Sequence, residues 1–257
     1  MTTMTTMKCF TLLLLVFTAT LHAQNPKPAE KKVNDFAPNQ REFFNLPEEK
    51  RKEFIKHYDD AIRFFADKRV FETLDALNEA EKVFSKSMEL HNMRGSCYVE
   101  MRIFDKANIS FNKALEISPN NLSLKFNIAE CFFVSKKWQE SHDKFQELVR
   151  ILPSNSGDIY RLAEFKLLLC KKKLGLDKEA LILADKYDYQ DDSPYYYYAK
   201  AALAFDDKDL VAAEKWMGRA ARIFRDPRIL NPWQDTMMEY GYIKGFLGAQ
   251  EEEAEAP

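Results

Sequence analysis

The stretch from Met88 to Pro153 repeats itself with a shift of 34 residues. Laid over Leu122–Pro153, Met88–Pro119 puts Tyr98 on Phe132, Phe104 on Trp138, Phe111 on Phe145, Ala114 on Leu148, Ile117 on Ile151 and Pro119 on Pro153. Small residues fall on small ones, Gly95 on Ala129 and Ala107 on Ser141. A fixed period of this size, carrying alternating apolar stripes, is what stacked helical units leave in a sequence. It predicts an all-α fold, an α-solenoid of stacked antiparallel helix pairs. It also predicts the class of activity, a surface that holds another macromolecule, without naming the partner.

Within one unit, Gly95 and Tyr98 are three apart and share a helix face, as do Ala107, Phe111 and Ala114 at spacings of four and three. Met101-Arg102-Ile103 lies between the two stripes and can hold a turn. Gly95 and Ala107 let the two backbones approach, and Tyr98 and Phe111 fill the space beside them. Each large apolar side chain buried this way contributes roughly 1.5–3 kcal/mol. Pro119-Asn120-Asn121 ends the second helix, because proline cannot extend it. One hairpin cannot cover its own apolar face, so neighbours must stack on it.

These residues resemble the tetratricopeptide repeat family, whose pattern is a small residue, an aromatic three later, then alanine, aromatic, alanine and a closing proline. Gly95, Tyr98, Ala107, Phe111, Ala114 and Pro119 match it in one unit, and Ala129, Phe132, Phe145 and Pro153 in the next. Ser141 and Leu148 depart from the pattern there. The period also runs backwards: Ala61, Phe64, Thr73, Leu77 and Ala80 stand 34 before Gly95, Tyr98, Ala107, Phe111 and Ala114, with Ser85 in place of the closing proline. After Pro153 the register slips. Ile159, Leu162, Ala163, Lys166 and Leu169 share a longer helix, Gly175 and Asp177 mark its turn, and Ala180 and Ala184 begin a return helix. Asp191-Asp192-Ser193-Pro194 starts a fifth unit carrying Ala199, Ala202, Ala213, Met217 and Ala220. In the Tyr195–Tyr198 run, a helix is expected to bury one or two of the four rings. Pro232 and Trp233 open a capping helix to about Leu247. The expected array is about five units and this cap over 46–248, with Pro47-Glu48-Glu49 as the first helix start.

Before that, Met7-Lys8, the apolar run Cys9–Leu21 and a small residue at Ala23 describe a secretory signal peptide over 1–23. The alternative, a membrane anchor, needs roughly 20 apolar residues. Residues 24–45, with Pro26, Pro28 and Pro38 and little periodicity, read as a flexible leader. Residues 249–257, rich in glutamate, read as an acidic disordered tail. The whole chain carries 38 basic and 40 acidic residues. Removing 1–23 takes away Lys8 and no acid, leaving 37 against 40, a net charge of -3. That gives no support for nucleic-acid binding, which needs a basic surface. The reading is an extracytoplasmic protein with no membrane span after cleavage.

No catalytic or metal-binding constellation shows. His57 and His91 are themselves 34 apart, which favours packing positions, and His142 sits on a charged helix stretch. No His-Glu-x-x-His, no paired metal spacing and no glycine-rich phosphate loop is present, so no metal and no cofactor is expected. Cys97 and Cys131, again 34 apart, fall on stacked helices roughly 8–10 Å apart, beyond the reach of about 7 Å that a disulfide allows. Both are expected to be buried thiols, and Cys170 with them.

Tetratricopeptide arrays resemble a curved trough walled by the first helix of each unit. That resemblance implies three rows facing the trough: Tyr58, Asn92 and Phe126; Ile62, Ser96 and Glu130; Phe65, Val99 and Phe133. The family's best-known trough clamps a terminal carboxylate with lysine, arginine and asparagine. Tyr58, Ile62, Phe126 and Glu130 stand where those groups would be needed, so an apolar wall for a partner helix or extended peptide is expected instead. The bland alternative is that these side chains pack on the chain itself. The leading expectation is a non-enzymatic scaffold holding a protein or peptide. A self-associating envelope protein is the second reading and a cell-envelope enzyme the third.

Overall fold

In the computed structural model, residues 37–153 and 157–245 are described, and among them there are helices and no strand. The signal segment, most of the leader and the acidic tail lie outside the described residues. The chain forms two compact units, divided between Cys131 and Phe132.

In the unit ending at Cys131, α1 (Pro38–Phe44) precedes the hairpins α2 (Glu48–Ala66) with α3 (Val70–Val83) and α4 (Met88–Glu100) with α5 (Phe104–Ile117). The helix α6 (Leu122–Val134) carries the boundary. The period read from sequence is the period of the helices: α3 and α5 begin and end 34 apart, and so do α4 and α6. Ala61, Thr73, Leu77 and Ala80 are fully buried in the first hairpin, and Ala107, Phe111 and Ala114 in the second. Ser87 caps α4, its side chain accepting from the Leu90 amide at 3.2 Å, and Asn121 Oδ1 accepts from Leu124 N at 3.0 Å at the start of α6. These side-chain caps satisfy amides that a helix start otherwise leaves without partners.

The leader reading needs correction at its end. Residues 38–44 are helical, and Phe43 docks its ring on Phe54 at 5.2 Å and on Phe84 at 5.3 Å. Lys86 pairs with Glu42 at 2.7 Å. Proline at the first helical position is tolerated because its missing N–H has no intrahelical acceptor there.

In the unit beginning at Phe132, α7 (Trp138–Ile151) is followed by the hairpins α8 (Asp158–Lys173) with α9 (Asp177–Ala184) and α10 (Tyr195–Asp206) with α11 (Leu210–Ile223), then α12 (Pro227–Tyr240). The sequence misjudged three points here. Tyr195, Tyr197 and Tyr198 are all buried, three of the four rings rather than one or two. The helix carrying them packs on α8, α9 and α11, so it has covered faces on several sides. His142 is buried rather than set on a charged face, and its Nδ1 lies 2.9 Å from Asp143 Oδ1. The last helix starts at Pro227, with Asp226 capping Arg228 N at 2.9 Å, and Pro232 lies inside it. It ends at Tyr240, where Gly241 takes φ 103°.

The hairpin turns share one conformation. Lys68, Arg102, Lys136 and Lys208 adopt φ of 61°, 58°, 63° and 61°. At each, the amide bonds the carbonyl three residues back and the next amide the one five back, as in Arg102 N to Val99 O at 2.9 Å and Ile103 N to Tyr98 O at 2.8 Å. This double bond closes the helix end in the Schellman manner. The first three are 34 apart, and Gly175, φ 74°, takes the same place in the fourth hairpin, 39 after Lys136. The five extra residues of the fourth unit therefore lie before its turn, three of them in the longer α8 and two in the connection before it.

Candidate functional site

On α2, Tyr58, Ile62 and Phe65 are spaced four and three and share a face. Tyr58 is half-buried, its ring stacked on Phe54 at 6.0 Å, and Phe65 is half-buried against the same cluster. Burial, and after it the Glu89 carboxylate, raises the Tyr58 phenol above its ordinary value, so it stays protonated and can both donate and accept. Ile62 is 36% exposed. On α4, Asn92 is half-buried and accepts from Asn127 Nδ2 at 2.8 Å; Ser96 is buried and donates to the Asn92 carbonyl at 3.2 Å; Val99 is buried. On α6, Phe126 and Glu130 are buried.

The structure thus places eight of the nine trough residues in one compact unit and joins the Asn92 row to α6 through Asn127. It leaves Ile62 open and Tyr58, Phe65 and Asn92 partly so. Phe133 belongs to the other unit, fully buried, with its ring 5.3 Å from Trp138, 6.5 Å from Phe145 and 6.3 Å from Tyr240, and the Lys166 ammonium 4.6 Å above it. Of the residues read as repeat core, Gly95, Ala129 and Phe145 are buried, whereas Phe64, Tyr98 and Phe132 are half-buried. Phe64 lies under the Arg69 guanidinium at 4.5 Å, and Tyr98 under the Lys106 ammonium at 5.6 Å. Cys97, Cys131 and Cys170 are buried thiols, and burial pushes Cys97 up to about 12. A thiol so protonated at neutral pH is a poor nucleophile. Among the described residues, no group of three metal-ligating side chains stands close enough to hold an ion, and no helix is long and apolar enough to cross a membrane.

Sequence reasoning missed one polar network. Glu164 is fully buried on α8 and accepts from Tyr187 Oη at 2.6 Å and from the Lys186 ammonium. Arg161 grips Asp191 with two bonds of 2.9 and 3.0 Å and donates to Tyr187 at 3.0 Å. Those bonds hold the Asp191 carboxyl below its usual range. Burial, then the Glu164 carboxylate, pushes Tyr187 up to about 12. Every group has a partner, so the network fastens the 185–194 connection to α8 rather than presenting a reactive group. The available signal was Glu164 standing, with Lys166, inside the otherwise apolar stretch Leu162–Leu169.

Helix pairs closed by the same turn superpose on PilF of Pseudomonas aeruginosa with a TM-score of 0.53, over 81% of this chain and 100% of that one, at 14% identity. The fold is that of a tetratricopeptide-repeat protein. YrrB, described as such a protein with an unusual peptide-binding site, aligns over 73% of this chain and 94% of its own at 18% identity, with a TM-score of 0.49. No family model matches the sequence. Among curated proteins, the peptidyl-prolyl cis-trans isomerase FKBP4 of Bos taurus is 25% identical over 112 residues, 43% of this chain. The chain spans 23% of that relative's length.

Proposed function

We propose that this chain is a non-enzymatic extracytoplasmic scaffold whose first-helix wall holds a peptide or helix of a partner protein. The observation that carries the reading is the α2 face, where Ile62 stands open between the half-buried rings of Tyr58 and Phe65. An apolar side chain flanked by rings offers an anchor pocket for a hydrophobic residue of an extended or helical segment. Asn92, half-buried on α4, can bond a backbone amide or carbonyl. The buried members of the rows in the same unit, Ser96, Val99, Phe126 and Glu130, then support the wall from beneath rather than touch the partner. The charge balance and the composition of residues 1–23 favour a protein partner outside the cytoplasm.

A photo-crosslinking residue placed at Ile62, in cells, tests this directly, with Val211, 78% exposed on α11, as the control position. A discrete adduct at position 62 that is absent at 211 is expected. No adduct, or equal labelling at both positions, overturns it. Mass spectrometry of the mature chain is expected to find Gln24 at its amino terminus, and an uncleaved chain contradicts the localisation.

A further inference from the structure

The fifth hairpin carries a second cleft, away from the wall just described. Tyr189, Tyr196, Tyr197 and Trp216 line it with Arg219 and Arg222, around about 360 Å³. The rings stand nearly perpendicular, Tyr196 to Trp216 at 84° with centroids 5.6 Å apart and Tyr196 to Tyr197 at 79° and 5.2 Å, so they form walls rather than a closed stack. The Arg219 guanidinium lies 4.5 Å over Trp216. Tyr189 is 66% exposed, and Ile223 at the rim is 56% exposed. No carboxylate lines the cleft, and among the described residues none pairs with Arg219 or Arg222.

The first hairpin shows what this position holds otherwise. Lys68 and Lys208, the left-handed turn residues, are 140 apart and set the register between the two hairpins. In that register His57, Ala76, Glu79 and Lys82 correspond to Tyr197, Trp216, Arg219 and Arg222, and each set lines the same cleft of its own hairpin. The first cleft is acidic, with Asp60, Glu72, Asp75 and Glu79. In the fifth, alanine has become tryptophan and glutamate has become arginine. The fold does not require this chemistry, since the first hairpin forms without it.

We infer that the Tyr196–Trp216–Arg219 cleft is a docking site for an acidic, proline- or aromatic-bearing peptide of a partner protein. Rigid ring faces bury a proline or an aromatic side chain at little entropic cost. A guanidinium stacked on a ring keeps its edge donors aimed outward, in the fork that matches a carboxylate. The site is separate from the α2 wall, so the two can succeed or fail independently.

The test is fluorescence anisotropy of a fluorescein-labelled peptide Glu-Pro-Glu-Phe-Pro-Glu-Pro titrated with the full chain. Saturable binding is expected, weakened at least tenfold by Arg219→Glu, which installs the residue the first hairpin tolerates, and likewise by Trp216→Ala. Replacing the peptide's glutamates by glutamine, or raising salt from 50 to 500 mM, is expected to weaken it similarly. Ile62→Glu is expected to leave it unchanged. The inference is overturned if the labelled peptide shows no binding to the wild-type chain at 1 mM protein, or if Arg219→Glu binds equally well with its circular dichroism unchanged. Binding that emerges only when residues 246–257 are removed also overturns it, since the chain's own acidic segment would then be the occupant.

Discussion

A β-carbon added to Gly95 would stand 2.5 Å from both Cδ1 and Cε1 of Phe111. The α4 backbone passes directly over the Phe111 ring, and that close approach sets how α4 and α5 pack. Phe111 is fully buried, so its ring has no space to retreat. Alanine in a helix interior is otherwise preferred to glycine by roughly 0.5–1 kcal/mol, but overpacking a tight core costs about 1–3 kcal/mol. Gly95→Ala is expected to lower stability by about 1–2 kcal/mol in urea unfolding. Adding Phe111→Leu is expected to recover part of that loss, because it removes the ring the methyl strikes.

The left-handed turns make an opposite prediction. Lys208, φ 61°, occupies a region that costs a non-glycine residue about 1–2 kcal/mol. Gly175 shows the same turn built with glycine. Lys208→Gly is expected to stabilise by about 0.5–1 kcal/mol, the relief of strain exceeding glycine's added unfolded-state entropy. Lys208→Val is expected to destabilise, since a β-branched residue fits that region worst. Thermal unfolding of the two variants beside the wild type reads both signs.

His91 gives the fold a pH dependence. Burial lowers its pKa, opposed by the bond to the Ser85 carbonyl at 2.8 Å and by Glu81, and assisted by Arg94 and Lys113. The unfolded chain then binds a proton more readily than the folded one, so stability rises with pH across this titration. The contribution is fully present above the unfolded value of about 6.5 and is lost as pH falls below it. Urea midpoints of wild type and His91→Gln, compared at pH 7.5 and 5.5, are expected to show the smaller drop in the variant.

Glu164 tests whether the buried network is structural. Removing a carboxylate that accepts from Tyr187 and Lys186 leaves those donors without it, a loss of about 2–3 kcal/mol on the scale of hydrogen bonds to charged groups. Lys186 is 40% exposed and can turn to water, which keeps the figure below that of a wholly buried pair. Glu164→Ala is expected to cost this much, and a double-mutant cycle with Tyr187→Phe is expected to show coupling above 0.5 kcal/mol.

The helix period was legible because Tyr98 and Phe132, or Ala107 and Ser141, meet the same packing demand in each unit, and packing demands leave residue types behind. The turns were less legible. Lys68, Arg102 and Lys136 carry no glycine, so their left-handed backbone left only a recurring basic residue as a sign. Pro232 looks like a helix start in the sequence, but Asp226-Pro227, a capping residue before a first-turn proline, opens α12 five residues earlier. The tyrosine run misled because one helix packed on three others buries more than one stripe. Spacing puts Tyr58, Ile62 and Phe65 on one face of α2, but the burial of Ser96, Val99, Phe126 and Glu130 depends on neighbours that a period does not encode.

The most direct measurement is hydrogen exchange of the purified chain with and without the protein captured at Ile62. Slowing of at least tenfold is expected in peptides spanning 54–65 and 88–100, the α2 and α4 segments that carry the wall. Unchanged exchange there, or slowing confined to other helices, would contradict the role assigned to that face.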